Sequence, residues 1–281
     1  MGTAVPYITL PELKRSPIYS QLEQLVPNSS DAARDAELER IVARVSAMIN
    51  GEVNQNLAAT LDKEVGRVRV DDFGDLRIHC RSTPVIDVQS ISVGANPYGL
   101  TQLTDLSHII LDPWRITLPQ AGGMGLQTGN LPLGGSFRPG SLVWCEWSYI
   151  NGFPITTIAE DVNAGDTEIT VVDPTGILPN QTILTVEDGI DLETVVPTAV
   201  NGDVLTVPPL LFSHSATVGI HAMPGDVKEA ALILVSRLHD TWSLSMGAIS
   251  MGDGTGAHMT DSKPRFMCDP AWILNPYKRR W

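Results

Sequence analysis

The chain is poor in cysteine. Cys80, Cys145 and Cys268 are the only three, and they stand far apart. Such spacing gives neither a disulfide framework nor a CxxC half-site for a metal, so core thiols are expected. Long apolar runs are also missing: none approaches the roughly 18–20 residues that a helix needs to cross a bilayer. The N-terminal MGTAVPYITLPELKRS lacks the charged-then-apolar pattern of a secretion signal, and Pro6 stands where a myristoylation pattern needs Ser or Thr. A soluble chain made in a cytoplasm, without membrane contact, is the expectation.

Basic charge is the next scarcity. Lys and Arg number 19 against 32 Asp and Glu, a net charge of −13. That balance argues against a surface dedicated to gripping DNA, though not against DNA passing nearby without being held. The deficit is local. Residues 156–223 contain ten acids and no Lys or Arg, whereas 263–281 carries Lys263, Arg265, Lys278, Arg279 and Arg280 against Asp269 alone.

Motifs that carry chemistry are absent too. The six histidines occur singly, with no HExxH pair, and there is no GxSxG elbow. Gly252-Asp253-Gly254-Thr255-Gly256 resembles a phosphate loop but lacks the following Lys-Ser/Thr and succeeds a helical pattern, so it reads as a linker. Glu187, Asp188, Asp191 and Glu193 cluster without the DxDxDG spacing of a calcium loop, and a solvated acidic face is the expected role. No catalytic residue, metal or cofactor is expected, and the chain is not read as an enzyme.

What is present is a turn-rich pattern, with 24 Gly, 20 Pro and an apolar fraction of 43%. The expected class is α+β: a small helical core of long amphipathic helices with antiparallel β-strands, plus an inserted all-β barrel or sandwich. The strongest helical pattern is 226–245, where Val227, Ala231, Leu234, Leu238 and Trp242 share a stripe. Asp226 and Glu229 are placed there as a capping box. A short helix is expected at Leu10 to Lys14 behind Thr9, and a five-turn helix over 31–50 stopped by Gly51.

From Val65 the period becomes alternating. A hairpin is expected around Asp71-Asp72-Phe73-Gly74, with strands at 85–93, 108–111, 114–118 and 142–149, and a mobile glycine-rich loop over 120–140. The acidic segment 156–223 has its own strands at 168–172, 182–186, 193–196, 204–207 and 218–221. It reads as a domain inserted into a discontinuous core of 1–155 and 224–281. A flexible loop over 246–263 leads to an aromatic, proline-containing tail, 264–281, poorly suited to packing as a helix.

The order of several short motifs resembles the head–tail connector (adaptor) proteins of long-tailed phages and gene transfer agents. These are TLPELK near the N-terminus, Pro84 to Ile91, Trp147-Ser-Tyr-Ile-Asn-Gly152, the 224–231 helix start PGDVKEAA, and Ile273-Leu-Asn-Pro-Tyr-Lys-Arg-Arg280. The resemblance covers about 5–155 and 224–281. It implies a structural virion protein of the neck: a ring, commonly of twelve copies, beneath the portal, joining the capsid to the tail and leaving a channel for the genome. Expected partners are the portal, a stopper or tail protein below, further copies of the chain, and DNA in transit. The resemblance also makes the tail the portal-docking part, carried here by Trp272, Ile273, Leu274, Pro276, Tyr277, Lys278, Arg279, Arg280 and Trp281. Two alternatives stay open on the sequence: a stopper or tail-completion protein of the same neck, and a hydrolase or carbohydrate-binding protein using the β segment.

Overall fold

The computed structural model describes residues 6–22, 30–119, 139–188, 191–250 and 268–279. The chain forms two compact units, one from Met1–Asn54 with Ile155–Lys278 and the other from Gln55–Pro154 with Arg279–Trp281. The class is mixed α+β, a few helices with several small antiparallel sheets.

The first unit begins with α1 (Leu10–Arg15), α2 (Tyr19–Leu22) and α3 (Asp31–Val53). Thr9 caps α1 and Glu12 answers it, so the capping box sits here. Ser30 caps α3, its hydroxyl accepting from the Ala33 amide at 3.3 Å. Leu38, Ile41, Val42, Val45, Ile49 and Val53 give α3 its buried stripe. The helix runs through Gly51 and ends at Asn54, which adopts a left-handed φ of 59°. Gly51 costs helix propensity but does not break the turn, because Val53 beyond it is fully buried.

The second unit contains β1 (Thr60–Arg69), β2 (Leu76–His79), β3 (Val85–Gly94), β4 (Thr101–Gln102), β5 (Ile110–Asp112), β6 (Arg115–Leu118) and β7 (Leu142–Asn151). Two antiparallel sheets result, in the orders β1-β7-β3-β4 and β2-β6-β5. The turn at Asp71 to Gly74 forms, with Gly74 at φ 86°. It does not make the expected hairpin, since only Val70 and Leu76 pair across it before β2 turns to the other sheet. Val143, Cys145, Trp147 and Tyr149 face the shared core, in which Cys80 is also buried. Burial pushes both thiols up to about 12, as core thiols should be. Most of the loop expected over 120–140 lies outside the described residues.

The chain then completes the first unit. It adds β8 (Ile155–Thr157), β9 (Glu168–Thr170), β10 (Leu184–Asp188), β11 (Asp191–Val195), β12 (Ala199–Asn201), β13 (Val204–Thr206) and β14 (Gly219–His221). These form sheets β11-β10-β14-β8 and β12-β13-β9 around one apolar core containing Ile158, Ile169, Leu184, Val186, Leu205 and Ile220. No closed barrel is present among the described residues, which leaves the two-sheet form of the expectation. The acidic segment 156–223 begins next to the unit boundary at Ile155, and it shares its compact unit with the helices.

Two helices finish the unit, α4 (Gly225–Ser250) and α5 (Cys268–Leu274), followed by a 3-10 turn, Asn275–Tyr277. Residues 246–250 were expected in a loop but extend α4, since Met, Ala and Ile there continue the helix and Gly247 alone does not stop it. The remainder of that loop, 251–263, lies outside the described residues. The tail is helical despite its prolines: Pro270 is the third residue of α5, where an amide would have no partner within the helix. Among the described residues no helix is long and apolar enough to cross a membrane.

Gly152 supplies a test of the second unit. It closes the Trp147 to Gly152 motif at φ 92°, and a Cβ there would stand 2.5 Å from the Ala58 carbonyl oxygen. Gly152→Ala is expected to destabilise the protein by about 2–4 kcal/mol, from the left-handed backbone and the clash together. Denaturant unfolding with an unchanged midpoint would contradict this.

Candidate functional site

Two features of the first unit organise the residues singled out from the sequence. One is the root of α4 and the other is the C-terminal segment packed on it. Val227, Ala231 and Leu234 of α4 are fully buried and Leu238 nearly so, with Ala230 and Val235 widening the stripe. The side chain of Trp242 lies outside the described residues. α4 starts one residue before the expected point, at Gly225, so Asp226 lies inside the first turn instead of capping it. The Asp226 carboxylate accepts from the Val227 amide at 2.9 Å.

The polar side of this root is a compact charged cluster. Glu12 uses one oxygen for its capping box, accepting from the Thr9 amide at 2.5 Å. The other accepts from the Lys228 ammonium of α4. Lys228 also bonds His221 Nε2 of β14 and approaches Glu187 of β10 at 3.4 Å. Arg15 of α1 closes the set with an ion pair to Glu187 at 2.7 Å. The Glu12 and Lys228 side chains are only 8% and 15% exposed.

Burial alone would raise the Glu12 pKa, but its contacts with His221, Glu187 and Lys228 outweigh that and hold it well below the carboxylate range. For Glu187 the balance is opposite. Burial and the neighbouring Glu12 charge raise it, against the pull of Lys228 and Arg15. Ligand atoms of Glu12, Glu187 and His221 lie within 4.8 Å of one another, a spacing that a metal ion could use. Lys228 already bonds or pairs with all three, so the chain supplies its own cation there. The arrangement is a clamp joining α1, β10, β14 and α4, and it offers no open coordination position.

The solvated acidic face expected at Glu187, Asp188, Asp191 and Glu193 does not form as such. Glu187 belongs to the clamp. Glu193 is buried, accepting from the Leu211 amide at 2.9 Å and meeting His214 Nε2 at 2.5 Å. Asp188 accepts from the Ser215 amide at 2.9 Å. A buried histidine or lysine partner, far off in sequence, turned these carboxylates inward. No spacing rule could have paired Glu193 with His214 or Glu12 with Lys228.

The C-terminal segment has two sides. Leu274 is fully buried where α5 packs against α3 and α4. The Tyr277 hydroxyl donates to the Asp226 carboxylate, whose oxygens lie 2.7 and 2.8 Å away. Burial and that carboxylate raise the Tyr277 pKa, so the phenol remains a donor. Lys278 pairs with Glu52 of α3 at 2.5 Å. Trp272 faces away and is 71% exposed, and Pro276 is exposed as well. Ile273 and Arg279 are half-buried, while Arg280 and Trp281 lie outside the described residues.

No family model and no curated protein matches the chain. Among solved structures, a chain of the neck of an empty gene transfer agent particle, computed with C6 symmetry, matches at 14% identity and a TM-score of 0.37. The match covers 98% of this chain and 94% of that one. At this identity and score no role passes from one chain to the other.

The clamp makes two measurable demands. Lys228→Met leaves Glu12 buried against Glu187 without its cation, and is expected to cost about 3–5 kcal/mol of unfolding free energy. A loss below about 1 kcal/mol would count against the clamp. The pH dependence has a definite sign. Glu12 is depressed from its ordinary 4.5, so its stabilisation is present above pH 4.5 and is lost as pH falls toward its folded value. Wild type should therefore lose stability below pH 4.5 more steeply than Glu12→Gln. Parallel curves from acid denaturation would show that Glu12 is not the group responsible.

Proposed function

We propose that this chain is a structural neck component of a phage-like or gene transfer agent particle, a connector placed in the virion between portal and tail. Copies form a ring, of twelve by the resemblance, around a channel for the genome. The reading rests first on the ordered motifs from TLPELK to the terminal ILNPYKRR. The observation that carries it is the state of Trp272. It is a large, 71% exposed aromatic on a short helix whose root is fixed from behind by Leu274, Tyr277 and Lys278.

An aromatic held rigidly on a preformed element loses little entropy on docking, and burying it contributes about 1.5–3 kcal/mol before other costs. Repetition around a ring multiplies a weak single contact into a lasting joint. The acidic balance suits the passage of DNA. Carboxylates along a channel repel phosphate weakly within a Debye length of roughly 8 Å in physiological salt, so the genome is not held. The clamp, with its own lysine as cation, gives this reading no competing catalytic centre.

Two substitutions in one helix separate docking from folding. Leu274→Ala empties a fully buried position and is expected to destabilise the protein by about 2–5 kcal/mol. Trp272→Ala should leave stability within about 0.5 kcal/mol and lower portal capture by tenfold or more. Unchanged capture by Trp272→Ala would remove the docking role. Negative-stain images of the wild-type protein should show rings with a central hole that bind portal, and a monomer that ignores portal would overturn the connector reading.

A further inference from the structure

At the end of the β1-β7-β3-β4 sheet where β7 begins, two cations stand without a counter-charge. Register sets Arg67 of β1 opposite Trp144 of β7, and Trp144 opposite Gly94 of β3, so the three form one row on the face turned away from the core. Arg69 lies two residues further along that face, opposite Leu142, and both arginines are exposed. The other described cations of 55–154 are paired: Lys63 with Glu146, Arg77 with Asp71, Arg81 with Glu64 and Arg115 with Asp112. Arg67 and Arg69 have no carboxylate partner among the described residues. The acids of the following turn, Asp71, Asp72 and Asp75, mark where the basic area ends.

Aromatic groups accompany them. The Arg67 guanidinium lies over the Trp144 ring, 5.0 Å from its centroid, which orders it before anything binds. A planar guanidinium stacked on one side can take a second ring on the other. Beyond Gly94 the 95–100 turn folds onto the same face: a Gly94 Cβ would point to the side of Trp144 and stand 2.5 Å from the Gly99 carbonyl oxygen. Asn96 fixes this turn, its side-chain oxygen accepting from the Tyr98 amide at 3.0 Å. Tyr98 is 98% exposed on it, and residues 92–102 contain no charge.

The acidity of the chain as a whole does not decide what this face attracts. Its excess acid lies in 156–223, whereas 55–154 holds nine Asp and Glu against seven Lys and Arg. An approaching anion meets the local field within a Debye length of about 8 Å. Here that field comes from two guanidiniums on alternate residues of one strand, roughly 6.5–7 Å apart along it. The interval is close to the step between successive phosphates of an extended nucleic-acid strand.

We propose that this end of the sheet binds single-stranded nucleic acid, with Arg67 and Arg69 on successive phosphates and with Tyr98 and the Arg67–Trp144 stack offering faces to unpaired bases. Cations beside aromatic rings are what such binding uses, since every nucleotide has a phosphate and every base a π-face. The contact is therefore tolerant of sequence. Duplex DNA is a poorer occupant, because its bases are already stacked and only its phosphates are on offer. Carboxylates of a protein would meet the arginines but leave Tyr98 and the stack without a partner. Two cations hold a strand weakly and release it in salt. The inference stands apart from the connector reading and does not depend on it.

Fluorescence anisotropy of a labelled oligothymidylate, titrated with the full chain at low salt, tests it. Arg67→Gln with Arg69→Gln should weaken binding about tenfold or more and flatten the plot of log affinity against log salt by about 1.4, the share of two phosphates on a single strand. Tyr98→Ala should weaken it about fivefold or more without changing that slope, and a duplex of the same length should bind about fivefold or more weakly than the single strand. All three positions are exposed, and matching thermal unfolding checks that each variant folds. A wild-type chain that leaves the oligonucleotide free at low salt overturns the proposal, and so do variants that bind as well as wild type. A duplex bound as tightly as the single strand, with Tyr98→Ala without effect, removes the stacking and with it the proposal. Polyglutamate that displaces the oligonucleotide at equal charge assigns the face to acidic protein instead. Each of these results leaves the connector reading standing.

Discussion

The first unit depends on one buried ion pair, Glu12 with Lys228. The two residues are 216 positions apart, and their contact joins the first helix of the chain to the base of α4. Glu187 and His221 complete it from two strands of the acidic segment. A buried pair of this kind contributes little over an apolar replacement of equal shape, yet removing one member leaves an uncompensated charge. Its effect is therefore on specificity: any arrangement of helices and strands that separates Glu12 from Lys228 is penalised heavily. Gly219 adds a steric condition beside it, since a Cβ there would meet the Thr9 side chain at 2.6 Å.

The same clamp changes the meaning of the acidic segment. Its own apolar core, from Ile158 to Ile220, is what an autonomous β module would have. However, Arg15 and Lys228 reach Glu187 from α1 and α4, so the segment is also bound into the helical part of its unit. The C-terminal segment is bound there too. Tyr277 donates to Asp226, two residues before Lys228, so the two features occupy the same end of α4.

Local signals made the elements readable, and long-range partners kept the site hidden. Thr9 and Pro11 marked α1, alternation from Val143 to Tyr149 marked the inner face of β7, and the stripe from Val227 to Leu238 marked α4. The strands β8 and β12, three residues each, were missed. Helix ends were misjudged where a glycine was read as a stop: Gly51 lies within α3, and Asn54 ends it because asparagine tolerates the left-handed conformation. The tail residues were found as an aromatic and basic group, but their division into inward Leu274 and outward Trp272 depends on which face α5 turns to α3 and α4. That division follows from tertiary packing, and so does the clamp.

Charge segregation along the sequence then acquires a structural sense. Carboxylates that could have been spread over the surface are gathered in 156–223, and the most buried of them, Glu193, has hydrogen-bond partners inside the segment. What remains outside is a segment whose own exposed charges have a single sign, beside exposed Leu192, Leu211 and Val172. The basic side chains are arranged differently. Lys228 and Lys278 are taken up by internal carboxylates, and Arg67 is ordered on Trp144. Buried cations and buried carboxylates thus meet inside the first unit, whereas the exposed acids of 156–223 have no Lys or Arg in their own stretch of sequence.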